Sequence, residues 1–103
     1  MVQVEERRDE IRYLIEEQDL SRDAMIAVLR NSREGSEFTI QGEVWRGPGP
    51  QRIIRIVSID KFGLSRFRVQ ATRGFSPQHL ETIFIMSNPE DAILLAELLI
   101  KQE

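Results

Sequence analysis

The chain has 103 residues, no cysteine and a formal net charge of −3, with 41% hydrophobic and 30% charged residues. That length bounds it to a single domain over residues 1–103, large enough to bury one core without disulfide or metal staples. The missing cysteines exclude thiol catalysis, disulfides and thiolate metal sites. MVQVEERRDE carries no apolar run of the secretory kind. The longest strongly apolar run, AILLAELLI at 92–100, falls short of the ~20 residues that a bilayer-crossing helix needs. A cytoplasmic protein with no membrane partner is therefore expected.

In chain order, Ile11, Leu14 and Ile15 fall at helical spacing, with Val4 one heptad before Ile11, and predict a first helix over residues 3–18. QDLS breaks it. Asp19 or Ser21 can cap a second helix that runs to about Arg30, with Met25, Ile26, Val28 and Leu29 as its apolar side. NSREGS is a loop with a glycine stop signal. The pattern then changes to period two. EFTIQGEVW, RIIRIVSID and LSRFRVQAT read as three strands, with KFG as the turn between the last two. Ser76-Pro77 predicts one turn of helix, and the β-branched and aromatic ETIFIM a fourth strand. Asn88-Pro89-Glu90-Asp91 places a cap, a first-turn proline and two acids at the start of a last helix over residues 89–101. The fold class is α+β: two N-terminal helices, a four-stranded mainly antiparallel sheet and a C-terminal helix packed on one sheet face.

WRGPGPQR, residues 45–52, alternates glycine and proline between arginines. A phosphate-cradling loop aims backbone N–H groups at the anion, and Pro48 and Pro50 have none. No Gly-Lys-Ser/Thr is present and a strand follows, so the segment reads as a strand connection.

LIEEQDLSRDAMIAVLR, residues 14–30, resembles the turn region of bacterial helix-turn-helix regulators in its helix–DLS–helix layout. The resemblance implies a DNA-binding regulator acting through residues 11–30, with Arg22, Asp23, Ala27, Arg30 and Asn31 on the reading helix. The structural alternative is a plain antiparallel helix pair. His79 is the only histidine and has no convergent partner beside it in the sequence. The acid pairs Glu5-Glu6, Glu16-Glu17 and Glu90-Asp91 suit solvated helix faces and N-termini. Ser58, Asp60 and Lys61 alternate across a strand. No nucleophile–base–orienter set emerges. A non-enzymatic protein without metal or cofactor is expected.

Charge is segregated along the chain. Residues 46–73 carry seven bases and one acid, whereas the segments on either side are acidic, and twelve of the fourteen bases are arginine. Such segregation bears on partners more than on fold. Alternation puts Phe38, Ile40, Val44, Ile54, Ile56, Phe67 and Val69 on a core face. It puts Trp45, Ile53, Arg55, Val57, Ile59, Arg66 and Arg68 on the other. A face mixing Trp, aliphatics and arginines needs a cover: another part of the chain, a protein, or single-stranded nucleic acid stacked on Trp45. The last helix is apolar around most of its girth, with Ile93, Leu94 and Ile100 beside its polar stripe, which fits a homodimer contact.

The function expected is a small protein-interaction or regulatory module, homodimeric through that face and helix, with Ile93, Leu94 and Ile100 at the oligomer interface. The alternative is a single-stranded nucleic-acid-binding protein using Trp45, Arg46, Arg52, Arg55, Arg66 and Arg68.

Overall fold

The computed structural model describes residues 9–46, 51–75 and 83–102, and among them it has six strands and two helices. They are β1 (Glu10–Ile15), β2 (Gln18–Leu20), α1 (Arg22–Arg30), β3 (Glu37–Arg46), β4 (Gln51–Phe62), β5 (Arg66–Arg73), β6 (Ile83–Met86) and α2 (Pro89–Lys101). The strands form one sheet in the order β2-β1-β3-β4-β5-β6, and every neighbouring pair is antiparallel. A six-stranded sheet with one short N-terminal helix and one C-terminal helix thus replaces the expected four strands and two N-terminal helices. The Ser76-Pro77 turn and His79 lie outside the described residues, as do positions 47–50.

The correction begins at the N-terminus. Ile11, Leu14 and Ile15 fit a helical stripe, but Ile11, Tyr13 and Ile15 also alternate, and these three pack against the core. Aromatic and β-branched residues favour the pleated surface. The reversal is made by Glu16 and Glu17, both at positive φ (47° and 69°), between the paired Ile15 and Gln18. Two left-handed residues in a two-residue loop match a type I′ hairpin turn, which Asn-Gly normally announces. Glu-Glu favours helix instead and hides it. This hairpin removes the first helix on which a helix-turn-helix depends, so that resemblance does not survive. Replacing Glu16 by Asn together with Glu17 by Gly is expected to stabilise the protein by about 1 kcal/mol, because glutamate is strained at left-handed φ. A raised melting temperature checks this, and a lowered one would show that the turn takes another form.

α1 starts where the sequence places it. Ser21 caps it, its Oγ accepting from the Ala24 N–H at 3.1 Å, and Met25, Ile26 and Leu29 are buried. Asn88 caps α2 by accepting from the Glu90 N–H at 2.8 Å, ahead of Pro89 and the two acids. α2 lays Ala92, Ile93, Ala96, Leu99 and Ile100 against the sheet, and both helices share one buried cluster with Phe38, Ile40, Val57, Ile59, Phe67 and Val69.

The parity of β4 is the second correction. β3 and β4 pair Phe38 with Ile59, Ile40 with Val57, Gly42 with Arg55 and Val44 with Ile53. Ile53, Arg55, Val57 and Ile59 therefore face the helices, and Ile54 and Ile56 face away. RIIRIV has isoleucine on both parities, so alternation alone does not orient it, and a one-residue slip exchanges the two faces. β4 also takes in Lys61 and Phe62 of the expected KFG turn, which begins instead at Gly63, at φ 66°. Lys61 ends up buried on the core face, its ammonium 4.4 Å from the centroid of the Phe67 ring.

Candidate functional site

The open face of the sheet carries the outward residues of all six strands. Trp45 stands there, paired across the strands with Arg52 and partly buried. Arg66 and Arg68 share the face with it. Arg46 ends β3, and its side chain lies outside the described part. The sequence groups Arg55 with this set, but the structure separates it. Arg55 lies on the helix face, where its Nη1 donates to the carbonyl oxygens of Ile100 (2.8 Å) and Gln102 at the end of α2. Its guanidinium also sits 5.2 Å from the Phe75 ring centroid.

Three outward cations have acidic partners. Arg68 forms a two-pronged pair with Asp60, Nε to Oδ1 at 3.0 Å and Nη2 to Oδ2 at 2.8 Å, with its guanidinium 5.6 Å from the Phe62 ring. Arg12 makes the same fork with Asp19, both contacts at 2.9 Å. Arg52 lies 3.6 Å from Glu43. Two arginines of the basic middle, Arg52 and Arg68, are thus met by acids that strand pairing brings beside them, which weakens the field that a polyanion would feel.

The apolar surface lies elsewhere. Ile93 and Ile100 are fully buried within the chain's own core, whereas Leu94 is 49% exposed. One turn further on, Leu98 is 58% exposed and continues the ridge. β6 adds Ile83, Phe84 and Ile85 at 50%, 37% and 48%. Sequence reasoning passes over Leu98 and β6. The available signal was the uncharged run TIFIMSNP at 82–89, since charge is how edge strands are usually blunted.

A polar knot ties the N-terminal hairpin and α1 to α2. Arg22 donates to Glu97 through Nε to Oε2 (2.7 Å) and Nη2 to Oε1 (3.1 Å), and the Tyr13 hydroxyl donates to the same Oε2. Burial pushes the Tyr13 phenol up from its ordinary 10.0, and its hydrogen bond to the Glu97 carboxylate adds to this. For Glu97 the largest single influence is burial, which raises it, but hydrogen bonds from Arg22 and Tyr13 outweigh burial together and hold it below its ordinary 4.5. A depressed carboxylate contributes stability that is present above the unfolded value and is lost as pH falls through the folded one. A raised phenol contributes stability that is present below pH 10.0 and is lost as pH rises. Tyr13 is the only tyrosine, so ultraviolet titration of phenolate reads it alone. Native protein is expected to ionise well above the ordinary range. Glu97→Gln is expected to bring that titration down, to flatten the acid limb of stability and to cost about 1 kcal/mol, a charge-assisted pair discounted for the exposure of Arg22. Ordinary ionisation of Tyr13 in the folded wild type would refute the knot.

An open depression of about 460 Å³ lies between α1 and the β1–β2 turn, lined by residues that include Glu16, Val28, Ser32, Glu37 and Phe38. Its Ser32 hydroxyl donates to the Leu29 carbonyl at 2.7 Å. Among the described residues no group of three or more His, Asp or Glu side chains is placed to hold a metal ion, and no helix is long and apolar enough to cross a membrane.

No protein-family model, curated protein or solved structure matches the chain.

Proposed function

We propose that the chain is a small non-enzymatic protein-interaction or regulatory module that works as a homodimer. The observation that carries this reading is the set of exposed apolar side chains, Ile83, Phe84 and Ile85 on β6 and Leu94 and Leu98 on α2, each between about a third and three-fifths exposed. A folded domain of this size has a limited supply of large apolar side chains, and leaving five of them half in water is characteristic of a surface that meets another protein. The nucleic-acid reading has less support, because Arg52 and Arg68 are paired with acids and Arg55 serves α2.

Sedimentation across a concentration series at low and high salt tests the reading. A concentration-dependent dimer that salt does not dissolve is expected of an apolar contact. A parallel titration with mixed single-stranded oligonucleotides uses Trp45, the only tryptophan, as its own reporter. No saturating quench is expected. A monomer at every concentration, combined with a saturating quench that salt reverses, would overturn the proposal in favour of nucleic-acid binding.

A further inference from the structure

The two edges of the sheet are built differently. β2 closes one edge with three residues, Gln18, Asp19 and Leu20, and Asp19 is held in the fork of Arg12. A short, charged edge resists the addition of another strand. β6 closes the opposite edge with Ile83–Met86, four apolar residues inside an uncharged run. Among the described residues, β5 is the only strand that pairs with it, and among them its far side is a sheet edge of the kind that can take a further strand.

The exposure of β6 is two-sided. Phe84 pairs with Val69 and so points to the helix face, whereas Ile83 and Ile85 pair with Gln70 and Arg68 and point to the open face. All three are substantially exposed. A partner resting on the open face would leave Phe84 in water, and one resting beside α2 would leave the isoleucines there. A strand laid along the edge meets both sets at once, because alternate side chains of an added strand continue both faces.

The run also fixes which strand fits. Ile83-Phe84-Ile85 reads the same in both directions. A two-fold axis perpendicular to the sheet through Phe84 opposes Phe84 to Phe84 of a second copy, Ile83 to Ile85 and Ile85 to Ile83. Each residue stays on its own face, and no like charges meet. Resting on the homodimer reading above, we propose that two copies associate by antiparallel β6–β6 pairing about Phe84, giving a continuous twelve-stranded sheet with both copies of α2 on the same face. So short an edge buries an interface at the low end of the specific range, and a weak dimer with a dissociation constant on the order of micromolar is expected.

Ile83→Lys and Ile85→Lys place a charge on the edge without disturbing the core, since both side chains are half exposed in the single chain. Each is expected to weaken the dimer at least about tenfold in sedimentation while leaving the melting of dilute protein unchanged. The chain has no cysteine, so Phe84→Cys introduces a lone thiol at the axis. Opposed residues of antiparallel strands lie within disulfide reach, and mild oxidation is expected to give a covalent dimer there but not through Leu94→Cys. A dimer that survives both lysine variants and cross-links through Leu94→Cys instead would overturn strand pairing while leaving the homodimer in place. A wild-type chain that stays monomeric to about 100-fold above that micromolar constant would overturn both.

Discussion

Gly42→Ala is expected to cost about 2–3 kcal/mol, a large share of the stability of a domain of this size. Gly42 sits on the helix face of the central strand β3, between Ile11 on β1 and Arg55 on β4. The last turn of α2 comes down on it. A Cβ built there would lie 2.1 Å from Cγ2 of Ile100 and 3.2 Å from its Cβ. Carbon atoms pack at about 3.5–4.0 Å, so something must move. Ile100 is β-branched and helical, which leaves it one strongly preferred rotamer. The strain therefore falls on the end of α2 as a body, not on a flexible side-chain tip. The double variant Gly42→Ala with Ile100→Ala is expected to be less damaging than the two single costs added together, because the second change opens the space the first one fills. Denaturant melts of the four proteins in that cycle decide it. A neutral Gly42→Ala would mean that α2 does not rest on β3.

Arg55→Ala is expected to cost about 2 kcal/mol. The final carbonyls of a helix have no partners of their own within it, and a cation there also opposes the negative end of the helix dipole. Arg55 serves both needs by donating to the Ile100 and Gln102 carbonyls from a strand inside the sheet. Hydrogen bonds from a charged donor are worth more than neutral ones, and leaving the carbonyls unserved next to the core carries its own penalty. Arg55→Lys is expected to recover only part of this, since an ammonium can donate to carbonyls but lacks the planar guanidinium that lies against the Phe75 ring. Faster amide exchange in the last turn of α2 should accompany the loss. An Arg55→Ala protein as stable as wild type would show that water serves those carbonyls equally well.

Both residues mark the limit of what the sequence displays. Asn88-Pro89-Glu90-Asp91 announces α2 with a cap, a proline and two acids, and Ser21 announces α1. The alternations Phe38-Ile40-Val44 and Phe67-Val69-Ala71 are one-sided, so they orient β3 and β5. Where two patterns fit the same letters, local reading chooses without grounds. Ile11, Leu14 and Ile15 suit a helix as well as Ile11, Tyr13 and Ile15 suit a strand, and the Glu16-Glu17 turn lacks the residues that would break the tie. RIIRIV offers isoleucine to both faces, and only pairing with β3 orients it. An arginine on a strand reads as surface until a helix is known to end above it. Among the interface candidates, Leu94 is exposed. Ile93 and Ile100 are apolar because α2 packs against both the sheet and α1, a tertiary cause that no helical projection contains.

Strand order also governs the sequence of events in folding. β3, β4, β5 and β6 are neighbours in the chain as well as in the sheet, so each pairing closes a short loop at small entropic cost. The contacts that span the chain are of another kind: Tyr13 and Arg22 reach Glu97, and Arg55 reaches Ile100. They need a surface that the meander provides, so docking of α2 is expected late, on the native side of the barrier. Interactions made after the transition state are felt in the unfolding rate. The costs at Gly42 and Arg55 should therefore appear as faster escape from the native state, with the refolding limb of the chevron almost unmoved. An α2 that docks late is the latch that sets how long each molecule stays folded.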